Sequence, residues 1–184
     1  MNDKTMFNLT YGLFVLTASL DGKDNGCIIN TAGQVTAVPN RISIAVNKSN
    51  FTHDMILASG KFNVSILSEE ADFSIFKRFG FQSGRDVNKF DGYEHAVRGE
   101  NGIYYVTEGT NGFISAQVKT TLDLGTHTLF IAGVTDMDVL SDIPSTTYTY
   151  YQNHIKPKPL PKTESEKGVT IWRCRICGYE YKGD

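Results

Sequence analysis

The sequence predicts a strand-rich antiparallel barrel followed by a short, separate C-terminal unit, and three observations carry that expectation. Apolar residues recur at period two through most of residues 1–155, the alternation of half-buried strands. Only two short segments read as helices, and they do not follow each strand, which argues against a βαβ array. Composition then changes at Lys156–Gly168 (KPKPLPKTESEKG), where three of the five prolines and six charges surround a single large apolar residue. That is a stiff, solvated linker. It separates residues 1–155 from a second unit at 169–184.

Each element has a local reason. Tyr11 to Leu20 (YGLFVLTASL) is aromatic and apolar and ends at the Asp21-Gly22 turn signal, as a buried strand does. Gly12 inside it marks a bulge or a close approach of another group. Two strands then flank Pro39-Asn40. In the first, Cys27, Ile28 and Ile29 are apolar, Asn30-Thr31 breaks the run, and Gly33 loosens the middle. In the second, Ile42, Ile44 and Val46 alternate with Ser43, Ala45 and Asn47. Asp54 to Ser59 is a short helix stopped by Gly60. Phe62, Val64 and Ile66 alternate with Asn63 and Ser65 in another strand. Ser68 is expected to cap a second helix, with Glu69-Glu70 in its first turn, a Phe73-Phe76-Phe79 stripe, Lys77-Arg78 in its last turn and Gly80 at its end. Phe81 to Glu94 is a polar loop, and Ile103 to Thr107 a short strand. Phe113–Leu124 and Thr128–Leu140 form an antiparallel hairpin about Gly125-Thr126-His127.

Composition narrows the function. With 18 basic and 20 acidic residues the net charge is −2, which gives no electrostatic case for nucleic acid or an anionic membrane. No apolar run approaches the ~20 residues of a membrane span. The start, MNDKTMFNLTYG, lacks the pattern of a signal peptide. Three cysteines, two of them in one C-x-x-C pair, make no disulfide framework, so a reducing cytoplasm is expected.

Two stretches carry chemistry. Asn47-Lys48-Ser49-Asn50 followed by Thr52-His53 sets a cation, amides and hydroxyls just before a helix. The open N–H groups and dipole of a first turn favour a phosphate at such a place. A plain helix cap is the other reading of Thr52-His53, and an ordinary strand edge that of Asn30-Thr31. Cys174-x-x-Cys177-Gly178-Tyr179 puts two thiolates at metal-ligand spacing, framed by Trp172, Tyr179 and Tyr181. Cys27, by contrast, reads as a small buried hydrophobe.

The tail CRICGYEYKGD closely resembles the first half of a rubredoxin, the iron–tetrathiolate electron carrier. The second Cys-x-x-Cys does not follow before Asp184, and two thiolates alone cannot complete that site. Truncation is the first expectation, a second chain or no metal the others. Residues 1–155 resemble the flavin-reductase-like proteins, on YGLFVLT at Tyr11, INTAGQVT at Ile29, IAVNKSNFTH at Ile44, FGFQSGRDVNKF at Phe79 and GTHTLF at Gly125. The pairing resembles the high-molecular-weight rubredoxins.

The resemblance implies a mainly β, Greek-key split barrel that binds FMN. Asn30, Thr31, Gln34 and Thr36 are then expected at the ribityl chain and the polar edge of the ring. Asn47, Lys48, Thr52 and His53 are expected at the phosphate, extended by Ser83 and Arg85 unless that loop is merely solvated. His127 is implied to lie near the ring as a proton shuttle, although an exposed turn histidine is equally common. Tyr150, Tyr151 and His154 are expected to pack near the flavin or at an interface. The implied activity is electron transfer from NAD(P)H through FMN to a rubredoxin iron held by Cys174 and Cys177, and on to a redox protein, in a homodimer. The absence of a G-x-G-x-x-G fingerprint makes the nicotinamide a transient substrate. An FMN carrier reduced by another protein and a non-redox phosphate-ligand module are the alternatives.

Overall fold

The computed structural model describes residues 2–158, 171–173 and 180–182. Strand β1 (Phe14–Leu20) returns as β2 (Lys23–Ile29) through Asp21 and Gly22. Both turn residues have positive φ, 50° and 75°, the geometry of a two-residue hairpin whose twist matches its strands. There follow β3 (Gly33–Ala37), β4 (Asn40–Asn47), α1 (Phe51–Ser59), β5 (Lys61–Leu67) and α2 (Phe73–Gly80). The short pair β6 (Ala96–Arg98) and β7 (Tyr104–Val106) precedes the long hairpin β8 (Thr110–Asp123) and β9 (His127–Val139). Tyr148–Tyr150 begins a helical segment that Tyr151–Ile155 continues as a π turn. Finally β10 (Ile171–Arg173) pairs antiparallel with β11 (Glu180–Lys182).

Seven strands form one antiparallel sheet in the order β2-β1-β5-β8-β9-β4-β3. Its non-sequential order is that of a Greek-key arrangement, and the sheet curls around one core. Leu16, Cys27, Ile44, Met55, Phe62 and Phe130, from six different elements, meet there. Helix α1 packs against β1 and β2 and sends Met55 and Ile56 into that core. A second cluster lies on the other face of β1, where Val15 meets Ile75, Phe76 and Phe79 of α2, and Tyr151.

The expected alternation holds in β4, where Ile42, Ile44 and Val46 are buried and their neighbours are not. Elsewhere tertiary contacts modify it. The first strand expected before Pro39 is two strands, β2 and β3, which lie at opposite ends of the sheet. The chain breaks between them because the Thr31 hydroxyl takes over a ladder position, donating to Ala45 O (2.7 Å) and accepting from Ala45 N (3.2 Å). In β5 the polar parity is as buried as the apolar one. Asn63 Nδ2 donates to Ile103 O (2.9 Å) and Ser65 Oγ accepts from Val106 N (2.9 Å), so the segment entering β7 covers what looked like a solvent face.

The second helix is capped by Asp72, not Ser68, with Asp72 Oδ1 accepting from Ser74 N at 2.8 Å. Ser68 is instead tied to the C-terminal segment, its carbonyl accepting from the Thr146 hydroxyl (2.6 Å). Register shifts at Ser115/Ala116 and Val118/Thr120 end the single parity expected for β8, and its last five residues stand exposed.

Candidate functional site

The residues singled out in the sequence converge on the first turn of α1 more than anywhere else. Asn47 closes β4, and Lys48-Ser49-Asn50 turns the chain into the helix. Asn47 Oδ1 organises that turn by accepting from Ser49 N (2.9 Å) and Ser49 Oγ (2.8 Å). Asn50 is the N-cap residue, yet its side chain makes no capping bond; its amide reaches across to Cys27 Sγ of β2 at 3.7 Å. His53 N already donates to Asn50 O at 3.0 Å; the first-turn N–H groups ahead of it have no intrahelical acceptor and are open to a polar ligand or water.

Thr52 and His53 look inward. Thr52 is fully buried and its hydroxyl accepts from Asn25 Nδ2 at 3.0 Å. His53 is 4% exposed, lies edge-on to Phe130, and bridges Thr128 Oγ1 (2.8 Å, through Nε2) and Asp54 Oδ1 (3.0 Å, through Nδ1). Their side chains therefore frame the turn from within. The outer side of the turn carries charge. Arg85 Nη2 donates to Asp54 Oδ2 at 2.6 Å, and its guanidinium lies 5.0 Å from the centre of the Phe51 ring. Ser83 Oγ accepts from Arg85 N (3.2 Å), shaping the loop that delivers the arginine. The bonds from His53 and Arg85 hold the Asp54 carboxyl below its ordinary range.

Lys48 and His127 complete this region. Lys48 Nζ pairs with Asp123 Oδ1 at 2.7 Å, and Lys48 N donates to Thr126 O at 3.0 Å. Asp123 is held below its usual range mainly by the lysine. His127 stands opposite Asn47 in the β4–β9 ladder, half-buried, with Nδ1 at 2.8 Å from Thr126 Oγ1.

Thr31 is placed two residues up β4 from Asn47 through its two bonds to Ala45, and Asn30 beside it borders an apolar cleft walled by Ile28, Phe76, Phe81 and Tyr151. Gln34 and Thr36 are farther off, on the exposed β3–β4 hairpin. Gln34 Nε2 donates to Asn40 Oδ1 (3.1 Å) and Thr36 Oγ1 to Pro39 O (2.5 Å). Thr36 pairs with Arg41, four residues from Ala45, which is about 13 Å of strand. Cys174 and Cys177 lie outside the described residues, as do positions 159–168 of the linker.

Sequence reasoning missed the acidic partners Asp54 and Asp123 and two buried supports, Asn25 and Lys89. Asn25 sits in a segment, KDNGC, with no alternation to flag it, and Lys89 in a polar loop where burial has no periodic signature. The donor set suits a phosphate monoester, since two cations and a helix N-terminus flank one turn.

Comparisons with known proteins identify the family and the fold. Residues 6–159 match the family profile "Flavin reductase like domain". The chain is 37% identical over 192 residues to a high molecular weight rubredoxin of Moorella thermoacetica, covering 98% of this chain and 83% of that protein. It is 37% identical over 163 residues to a ferric-chelate reductase (NAD(P)H) of Archaeoglobus fulgidus, covering 89% of this chain and 95% of that one. Among solved structures, the NADH:FAD oxidoreductase SgcE6 of Streptomyces globisporus superposes with a TM-score of 0.69 at 20% identity, over 78% of this chain and 84% of that one. The sheet described above is thus the split barrel of flavin reductases, and the chain belongs to the flavin-reductase-like family of oxidoreductases.

Proposed function

We propose that this protein is an FMN-dependent electron-transfer oxidoreductase that takes electrons from NAD(P)H and delivers them through FMN to a rubredoxin-type iron centre and on to a protein acceptor. The observation that carries this reading is the 98% span of the match to a high molecular weight rubredoxin, which runs past residue 159 into the segment of Cys174 and Cys177. That pair supplies two of the four thiolates such an iron needs, so a second pair must complete it.

Bound FMN would supply a centre that accepts two electrons together and passes them on singly. The chain's own part is placement. Arg85, Lys48 and the N–H groups of the first turn of α1 meet the phosphate, with Asn47 and Ser83 shaping the two loops. Thr52 and His53 hold the turn from inside. Asn30 and Thr31 face the ribityl chain and ring edge, and Gln34 and Thr36 extend that side along the hairpin. His127, which stands opposite Asn47, would hold a proton near the ring as the resemblance implies. A ligand phosphate would draw Arg85 and Lys48 from Asp54 and Asp123, which keep both cations extended until it arrives.

Rapid mixing of the FMN-loaded protein with NADH or NADPH tests the reading: bleaching of the flavin band is expected with at least one of them. The Cys174→Ser/Cys177→Ser double variant is expected to bleach at the same rate while losing reduction of a one-electron protein acceptor. Absence of bleaching with both nucleotides would sink the proposal.

A further inference from the structure

Lys89 is a charged side chain with 3% exposure, and no carboxylate pairs with it among the described residues. Its ammonium donates to Gly26 O of β2 at 2.8 Å and to Phe79 O in the last turn of α2 at 3.0 Å. The second acceptor is one of the end carbonyls that a helix leaves without an intrahelical donor, and a cation there is favoured by the helix dipole. From the other side Arg78 Nη1 donates to Lys89 O at 2.9 Å. Residues 80–88 therefore leave α2 at Phe79 and are brought back to it at Lys89, a closed surface loop with Ser83 and Arg85 at its crown.

The same stretch of β2 carries the opposite jaw. Asn25 Nδ2 holds Thr52 of α1, and Cys27 receives the Asn50 amide. Gly84 lies so close over Asn25 that a side chain there would collide with the Asn25 amide, whose Oδ1 has no partner among the described residues. Asn25, Gly26 and Cys27 thus support the first turn of α1 through two side chains and the arginine loop through Lys89 and Gly84.

We infer that Lys89 is a positioning residue for the FMN phosphate: by clipping the 80–88 loop to β2 and to the end of α2, it fixes Arg85 over the first turn of α1. The lysine does not touch the ligand, and the inference rests on the phosphate site proposed above. Its loss is expected to weaken ligands that carry the phosphate and to spare those that lack it.

The test compares FMN with riboflavin by fluorescence quenching on the full-length apoprotein. The wild type is expected to bind FMN much more tightly than riboflavin; equal affinities would overturn the phosphate site and this inference with it. Lys89→Met keeps the length of the side chain and removes the ammonium. Its FMN Kd is expected to rise about tenfold, the net contribution of one or two hydrogen bonds, with the riboflavin Kd unchanged. Gly84→Ala lifts the loop from Asn25 without touching Lys89, is expected to show the same selective loss, and decides the matter should Lys89→Met not fold. Retention of the wild-type FMN preference in a folded Lys89→Met variant, or equal weakening of both ligands in both variants, would refute the positioning role.

Discussion

Asp54 shows how one surface side chain can be set by two neighbours of different kinds. His53 and Arg85 both bond its carboxylate, so the folded protein keeps it ionised to a lower pH than the unfolded chain does. A depressed carboxyl contributes stability that is fully present above its ordinary value of 3.8 and is lost as pH falls through the lowered folded value. Acid titration of the melting temperature is therefore expected to show the wild type more stable than Asp54→Asn above the ordinary carboxylate range, with the difference shrinking as pH falls through the lowered folded value. Thr52 is a different case, being wholly internal. Thr52→Ala strips Asn25 Nδ2 of its acceptor beside an Oδ1 that already lacks a donor, and is expected to cost about 1–3 kcal/mol in urea unfolding, while Thr52→Ser retains the bond. The sequence placed Asn47, Lys48, Thr52 and His53 together because they are contiguous around a helix start. It did not show that two of them turn inward, where Thr52 finds Asn25 of β2 and His53 finds Thr128 of β9. Lys89 was illegible for the complementary reason. Burial of a lone charge depends on carbonyls, Gly26 O and Phe79 O, that no residue code reveals.

At the level of elements, legibility followed the number of covered faces. β4 lies with one face on the core, and its alternation was read correctly. β1 and β5 are covered on both sides, and the polar residues Thr17, Asn63 and Ser65 satisfy themselves on backbone groups of residues 63, 103, 104 and 106. Of the short pair, β7 lies within the strand expected at Ile103–Thr107, while β6 offers three residues, too few for a period. Helix ends were half legible. Gly60 takes the left-handed conformation, with φ 69° and ψ 13°, and its N–H donates to Ile56 O at 2.8 Å, so the expected stop of α1 is in place. Gly60→Ala is expected to lower stability by about 1 kcal/mol, since alanine resists positive φ, measured as a shift of the urea midpoint at constant slope. The start of α2 misled because Ser68 and Asp72 both have capping chemistry, and only the bridge from Ser68 to Ser145 excludes the first.

For the whole molecule, several large apolar side chains are left at the surface. Val38 is 94% exposed at the tip of the β3–β4 hairpin, and Met137 and Val139 on β9 are 56% and 72% exposed. Asn40 Nδ2 lies 3.7 Å from Met137 Sδ, so the hairpin and β9 share one face. If that face is the homodimer contact expected from the family resemblance, Val139→Asp combined with Met137→Asp should shift the sedimenting species from dimer to monomer. A wild-type protein that sediments as a monomer would remove the expectation.

The sheet order holds one more consequence. β2 and β3 are its two ends, although only Asn30, Thr31 and Ala32 separate them in the chain. Between β2 and β4, on either side of α1, no strand ladder runs. Among the bonds described here, Asn50 to Cys27 spans that gap and Thr31 to Ala45 ties its hinge, and both use side chains. The backbone ladder is therefore open along one line of the barrel, and α1 with these side-chain bonds closes it.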